Sequence, residues 1–151
     1  MTSQTSGAIY TVGYEGIDAD RLIELLRQHR IETLVDARWR PASRKRGLSK
    51  TPLSEACHRV GIEYAHRRDL GTPPEIMRKL REEGTYDWDA YQGFLGEQDE
   101  GLTAASAIAS ASRTCLLCFE ADAGQCHRRL VAEEISKRTG LRVEHIPVTP
   151  A

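Results

Sequence analysis

Short apolar runs alternate with amphipathic stretches along this chain. Ile9-Tyr10-Thr11-Val12 predicts a strand, followed by a turn punctuated by Gly13 and Gly16. Asp18 then predicts the N-cap of a helix carrying Leu22, Ile23, Leu25 and Leu26, with Ile17 placed to staple onto Leu22. Thr33-Leu34-Val35 predicts a second strand ending at Asp36, and a long basic loop leads to a helix expected to open with Thr51 as N-cap and Pro52 at N1 and to close at Gly61. Ile62 to Ala65 predicts a third strand with His66 at its end. Helical spacing then runs from Pro73 to about Ser112, the last stretch rich in Ala and Ser, which lets a helix lie close to a sheet. Cys115 to Phe119 predicts the fourth strand, about Ala123 to Arg138 a helix capped by Asp122 with Gln125 three residues on, and Arg142 to Ile146 the fifth strand after Gly140.

Strands alternating with helices imply parallel βαβ units. The expected fold is therefore α/β: a three-layer sandwich around a mostly parallel central sheet of about five strands. At 151 residues the chain fits a single domain, residues 1–151, with frayed ends at about 1–7 and 148–151. In open parallel sheets ligands bind outside the carboxyl ends of the strands. Here those ends supply Gly13 to Gly16, Asp36 with Arg38, His66 with Arg67, and Glu120.

Composition narrows the classes. With 40% hydrophobic and 28% charged residues the chain reads as a globular protein, and no apolar stretch reaches the ~20 residues of a membrane span. Met1 to Gly7 lacks the basic and apolar regions of a signal peptide, so a cytoplasmic location is expected. That compartment predicts free thiols for Cys57, Cys115, Cys118 and Cys126. The net charge of −1 conceals an asymmetry: Ala37 to Ser54 holds six basic residues and no acid, and Glu82 to Glu100 holds seven acids and no base. A basic face suits anionic ligands.

The chemistry concentrates after the strands. Asp36 and Glu120 each end an apolar run, where a carboxylate either orients an arginine or acts as acid or base. Cys126-His127-Arg128-Arg129 falls at a predicted helix start, where free N–H groups favour anions and lower a thiol pKa. Cys126 also has a bland reading, packing with Leu130 on the sheet. The basic loop offers Arg38, Arg40, Ser43, Arg44, Lys45 and Arg46 around Trp39, a mix suited to phosphorylated or nucleic-acid ligands, or else a solvated loop. Zinc on Cys115 and Cys118 is disfavoured, because residues three apart on a strand face opposite ways. Gly13-Tyr14-Glu15-Gly16 lacks the full dinucleotide fingerprint and the lysine of a P-loop, and no Gly-x-Ser-x-Gly or His-Glu-x-x-His occurs. No cofactor and no bound metal are expected.

Taken in order, Thr11-Val12-Gly13-Tyr14, Leu34-Val35-Asp36-Ala37-Arg38 with Pro41 and Ser43-Arg44, Leu48-Ser49-Lys50, Gly61-Ile62-Glu63-Tyr64, His66, Leu70-Gly71, Leu116-Leu117-Cys118, Glu120 and Cys126-His127-Arg128 resemble the family called domain of unknown function 488. Many members have Gly-His-Ser where this chain has Gly13-Tyr14-Glu15, and often a Gly pair where it has Gly71-Thr72. The resemblance implies a compact α/β domain with Asp-x-Arg and Cys-His-Arg as its signature, and no established reaction.

Three functional expectations follow. The first is a strand-end pocket binding a phosphorylated small molecule, a nucleotide or a nucleic acid, and suited to hydrolysing it. Asp36, Glu120, His127 and Cys126 are the catalytic candidates. Arg38, Arg40, Ser43, Arg44, His66 and Arg128 are the anion-binding candidates. The second is a thiol enzyme using Cys126. The third is a binding module for nucleic acid or protein without chemistry.

Overall fold

The computed structural model describes residues 7–148, so the expectation of frayed ends at residues 1–6 and 149–151 lies outside the described residues. Five strands, β1 (Ala8–Gly13), β2 (Thr33–Asp36), β3 (Glu63–His66), β4 (Thr114–Cys118) and β5 (Arg142–His145), form one sheet in the order β3-β2-β4-β1-β5. Every pairing is parallel. The three central strands β1, β2 and β4 are buried along their whole length, which is why they read as continuous apolar runs rather than alternating ones.

Six helices cover the two faces: α1 (Ala19–Gln28), α2 (Lys50–Arg59), α3 (Pro74–Glu83), α4 (Trp88–Gly96), α5 (Asp99–Ala111) and α6 (Arg128–Thr139). One core joins Leu22, Leu25 and Leu26 of α1 and Leu53 and Cys57 of α2 to Tyr10, Val12, Leu34, Cys115 and Leu117 of the strands. The other joins helices α3 to α6 to Ile9, Val35 and Leu116. Successive strand residues alternate between these cores, so Cys115 and Leu116 lie on opposite faces, as the twofold period of a strand requires. Within α5, Ala105 and Ala109 are buried in this second core, and the helix packs chiefly against α6.

Local chemistry explains where elements begin. The Asp18 carboxylate accepts the N–H of Arg21 at 2.8 Å and caps α1, while Ile17 and Leu22 enter the same core. Helix α2 starts two residues earlier than Thr51 predicts, with Ser49 at the N-cap position, because Lys50 N–H already bonds Pro41 O at 2.8 Å and pins the loop there. The larger difference concerns α6. The Asp122 and Gln125 pattern caps only a single 3₁₀ turn, Ala123–Gln125, in which Asp122 accepts Gly124 N–H at 2.9 Å. The chain then extends through Cys126 before α6 starts at Arg128. Cys126 is thus outside the helix, and its position does not follow from i, i+4 spacing with Leu130.

The connections position the site. β1 leads to α1 on one face, and β4 leads to α6 on the other, so the chain leaves the carboxyl ends of these adjacent strands in opposite directions. This is the crevice where ligands of open α/β sheets bind. The ladder continues past the strands: Tyr14 N–H bonds Cys118 O at 3.2 Å and Glu15 N–H bonds Phe119 O at 2.8 Å. Among the described residues no helix is long and apolar enough to cross a membrane.

Candidate functional site

Four loops meet over the carboxyl edge and enclose a cavity of about 600 Å³. Tyr14 comes from the loop after β1, Arg38, Trp39 and Arg40 from the loop after β2, and Cys118, Phe119 and Glu120 from the end of β4. Thr72, Pro74, Met77, Arg81 and Tyr86 close the far wall, and His127 forms part of the lining.

Beneath this surface lies a buried polar frame. Asp36 is fully buried and receives Arg38 through two parallel bonds, Nε to Oδ1 and Nη2 to Oδ2, each 2.7 Å. Tyr64 donates its hydroxyl to the same carboxylate, and burial together with that carboxylate keeps the phenol protonated. Arg38 Nη1 continues to Leu48 O at 2.8 Å and Tyr14 OH at 3.4 Å. The Asp36 carboxylate thus orients an arginine, and that arginine ties together the loops after β1 and β2. Its donors point into the protein.

Arg128 has the same character. It is fully buried, and Nε donates to Thr11 Oγ1 at 3.0 Å, Nη1 to Glu120 O and to Cys118 Sγ at 3.3 Å, and Nη2 to Ala121 O at 3.2 Å. It fastens the loop after β4 to the sheet. Gly13 makes this possible, because a Cβ there would stand 1.7 Å from Glu120 O and 2.9 Å from Arg128 Nη1. Gly71 plays a similar part beside the backbone of Trp39, where a Cβ would lie 2.2 Å from the Trp39 nitrogen.

The remaining sequence candidates separate. His66 donates Nε2–H to Arg38 O at 2.7 Å and supports the wall from behind. Ser43 accepts Lys45 N–H at 3.1 Å and shapes the basic loop, while Lys45 Nζ donates to Ile17 O at 2.9 Å. Neither His66, Ser43 nor Arg44 lines the cavity. Arg40 does, and so does Arg81 of α3, which the sequence reading did not single out. The guanidinium groups of both are exposed, and neither has a hydrogen-bond or ion-pair partner among the described residues. Met77 and Arg81 are four apart on α3, whose buried residue is Ile76, and that spacing is the only sequence signal for Arg81.

Aromatic rings complete the lining. Tyr14 meets Phe119 edge to face at 5.4 Å, and Phe119 is the one large hydrophobic side chain exposed among the described residues. Trp39 carries the Arg68 guanidinium at 4.6 Å from its ring centroid. The Tyr86 and Thr72 hydroxyls bond at 2.7 Å.

Two ionisable groups face this space. Burial, reinforced by Glu15, raises the pKa of Glu120 above the usual carboxylate range. His127 donates Nε2–H to Ala37 O at 2.8 Å, and burial pushes its pKa down to about 4, so it is neutral at pH 7 with its Nδ1 lone pair toward Cys126 Sγ at 3.8 Å. The unfolded state therefore takes up a proton near pH 6.5 that the native state refuses until about pH 4. Stability from this group is complete above pH 6.5 and is lost as pH falls through the window to about 4, by about 3 kcal/mol in all. Urea unfolding at pH 7 and pH 4 is expected to show that loss, and a His127→Gln variant is expected to lack it. An equal acid loss in the variant would assign it to other groups.

The cysteines differ from the free-thiol expectation. Cys118 and Cys126 are paired as a disulfide, because the 3₁₀ turn capped by Asp122 folds Cys126 back over the end of β4. Cys57 and Cys115 are free and fully buried, and burial pushes the Cys57 thiol up to about 11. Cys115 faces the α1 and α2 side, away from Cys118.

A family profile described as "Domain of unknown function DUF488" matches residues 18–135. No curated protein matches the chain.

Proposed function

The chain belongs to the DUF488 family, and we propose that it binds a phosphate-bearing ligand with a planar ring, of the nucleotide class, in the pocket at the carboxyl edge of its sheet. One observation carries this reading: a cavity of about 600 Å³ that combines aromatic rings with arginines lacking protein partners. The volume falls within the ~300–1,000 Å³ of small-molecule sites. Trp39, Tyr14, Tyr86 and Phe119 supply apolar and π surface for a base, and Arg40 and Arg81 supply forked donors for anionic oxygens. Arg38 and Arg128 act in this reading as the frame that fixes the loops, their donors being taken by internal acceptors.

Hydrolysis of such a ligand would fall to Glu120. Its carboxyl faces the pocket, and burial raises its pKa, the direction that favours a carboxyl holding a proton to donate. His127 is the weaker candidate, since Nε2–H is held by Ala37 O and its basicity is low. Cys126 does not line the cavity and is paired with Cys118, so a thiol nucleophile draws no support from this arrangement.

The test is a thermal-shift screen of nucleoside mono-, di- and triphosphates against inorganic phosphate and unphosphorylated nucleosides. A ligand present at ~100 times its Kd stabilises by about 2.7 kcal/mol, which for a chain of this size raises Tm by about 5–11 °C. The shift is expected for the phosphorylated compounds and is expected to shrink in Arg40→Ala and Arg81→Ala. If nucleosides and phosphates alike leave Tm unchanged, the pocket reading fails. Binding that requires an oligonucleotide, with affinity set by Arg44 and Arg46, would replace it by the nucleic-acid module.

A further inference from the structure

Cys118 Sγ, Cys126 Sγ and His127 Nδ1 converge on one point, with Cys118 and His127 in the lining of the pocket and Cys126 behind them. Their ligand atoms all lie within 4.8 Å of one another, and all three residues are buried. The chain brings them there from two segments: Cys118 ends β4, while Cys126 and His127 immediately precede α6. The nucleotide reading gives the three no joint role, although Arg128 already donates to Cys118 Sγ.

We propose that, once the Cys118–Cys126 bond is reduced, these three side chains bind one zinc ion, with the fourth coordination position open to the pocket. The site is independent of whether a nucleotide binds above it. Two thiolates and an imidazole are the ligand set of borderline-soft Zn²⁺ rather than of Mg²⁺ or Ca²⁺, which take oxygen. Three protein ligands with a fourth position free is the pattern of a catalytic rather than a closed structural zinc.

Three features of the structure support the ion. His127 is already oriented as a ligand: Nε2–H is fixed on Ala37 O at 2.8 Å, which leaves Nδ1 as the lone pair facing the sulfurs. Metal-bound histidines almost always carry this second hydrogen bond. The Cys118 and Cys126 Cα atoms stand 7.4 Å apart, wider than the ~4.4–6.8 Å of most disulfides, and a shared ion bridges such a span with its sulfurs ~3.7 Å apart. Arg128, fully buried and in salt-bridge contact with no carboxylate among the described residues, donates to Cys118 Sγ at 3.3 Å. That donor suits a metal-bound thiolate. Cys115 takes no part, since it faces the opposite core.

The steps balance simply. Two external thiols cleave the disulfide and leave as their own disulfide, so Cys118 and Cys126 each gain one electron and one proton. Zn²⁺ then displaces both protons as it binds the two sulfurs.

The experiment uses the full chain, reduced without oxygen, freed of reductant and titrated first with Co²⁺ and then with Zn²⁺. One equivalent of Co²⁺ is expected to produce thiolate-to-cobalt charge-transfer absorption and the intense visible bands of a tetrahedral site, and Zn²⁺ is expected to abolish both. Cys126→Ser and His127→Ala are expected to weaken binding by at least ~100-fold, beyond the ~10–100-fold cost of losing a supporting group. A Cys57→Ser, Cys115→Ser double variant is expected to bind normally. Reduced wild-type protein without these bands would overturn the proposal, whether or not the variants fold. So would bands that survive Cys126→Ser but vanish in the double variant. On later exposure to air, whose oxygen takes up the two electrons, re-formation of the Cys118–Cys126 disulfide in the presence of excess zinc, with no ion retained, would also overturn it and leave a dithiol switch.

Discussion

Replacing Asp36 with alanine is expected to cost about 3–5 kcal/mol of stability, a large share of what a domain of this size possesses. The carboxylate is fully buried and takes both parallel donors of Arg38, which is itself 6% exposed. Without it the guanidinium is an uncompensated charge in the interior, and Tyr64 loses the acceptor of its hydroxyl. The effect is expected to spread along the chain, because Arg38 Nη1 also holds Leu48 O and so closes the loop of residues 37–49. Urea unfolding measures the loss, and amide exchange is expected to rise through that loop. A control separates charge from shape: Asp36→Leu combined with Arg38→Met removes both partners and is expected to be far milder than Asp36→Ala alone. If Asp36→Ala lies within about 1 kcal/mol of wild type, the buried pair is not the frame described above.

Gly13→Ala is expected to be of similar size, about 3–5 kcal/mol, although it adds a single methyl group. The new Cβ would sit 1.7 Å from Glu120 O and 2.4 Å from its carbonyl carbon, so the backbone after β4 has to move. That movement pulls Glu120 O from Arg128, and a buried guanidinium loses an acceptor. Overpacking and the lost charged hydrogen bond add in the same direction. The matched control is Gly93→Ala in α4, where a Cβ meets nothing within 4 Å and the helix gains about 0.5–1 kcal/mol. Opposite signs at the two glycines would establish close approach as the reason for Gly13. Gly13→Ala with wild-type stability would show that the loop after β4 moves at little cost.

Much of the architecture was legible because it rests on local signals. The apolar runs of β1, β2 and β4 are long enough to be buried on both faces, and Asp18 caps α1 as its neighbours predict. Strand alternation alone also separates Cys115 from Cys118. The start of α6 was misread because Asp122 with Gln125 satisfies a capping pattern equally well in a one-turn 3₁₀ helix, and nothing local shows that the chain then extends for a residue. The Cys118–Cys126 pairing was hidden for the same reason, since it depends on the direction in which that turn folds back.

The site was legible in part. A carboxylate or arginine beside a strand end was visible, as Asp36, Arg38, Glu120 and Arg128 illustrate. Whether an arginine faces outward or inward depends on acceptors supplied by distant segments, such as Leu48 O for Arg38 and Ala121 O for Arg128. Arg81 reaches the pocket through the packing of α3, and its spacing of four from Met77 is the one local sign of it.

The strand order carries a consequence for synthesis. β4 lies between β1 and β2, in register with both, yet its residues leave the ribosome long after theirs: Thr114 pairs with Thr33 on one side and Ile9 on the other. At roughly 5–20 residues per second the growing chain carries β1 without a neighbour, and β2 with only β3, for several seconds. Their apolar faces and unpaired edges remain open for that interval, until Thr114–Cys118 enters the gap. Completion of the sheet is thus a late event, and the same strand that closes it delivers Cys118 to the pocket floor.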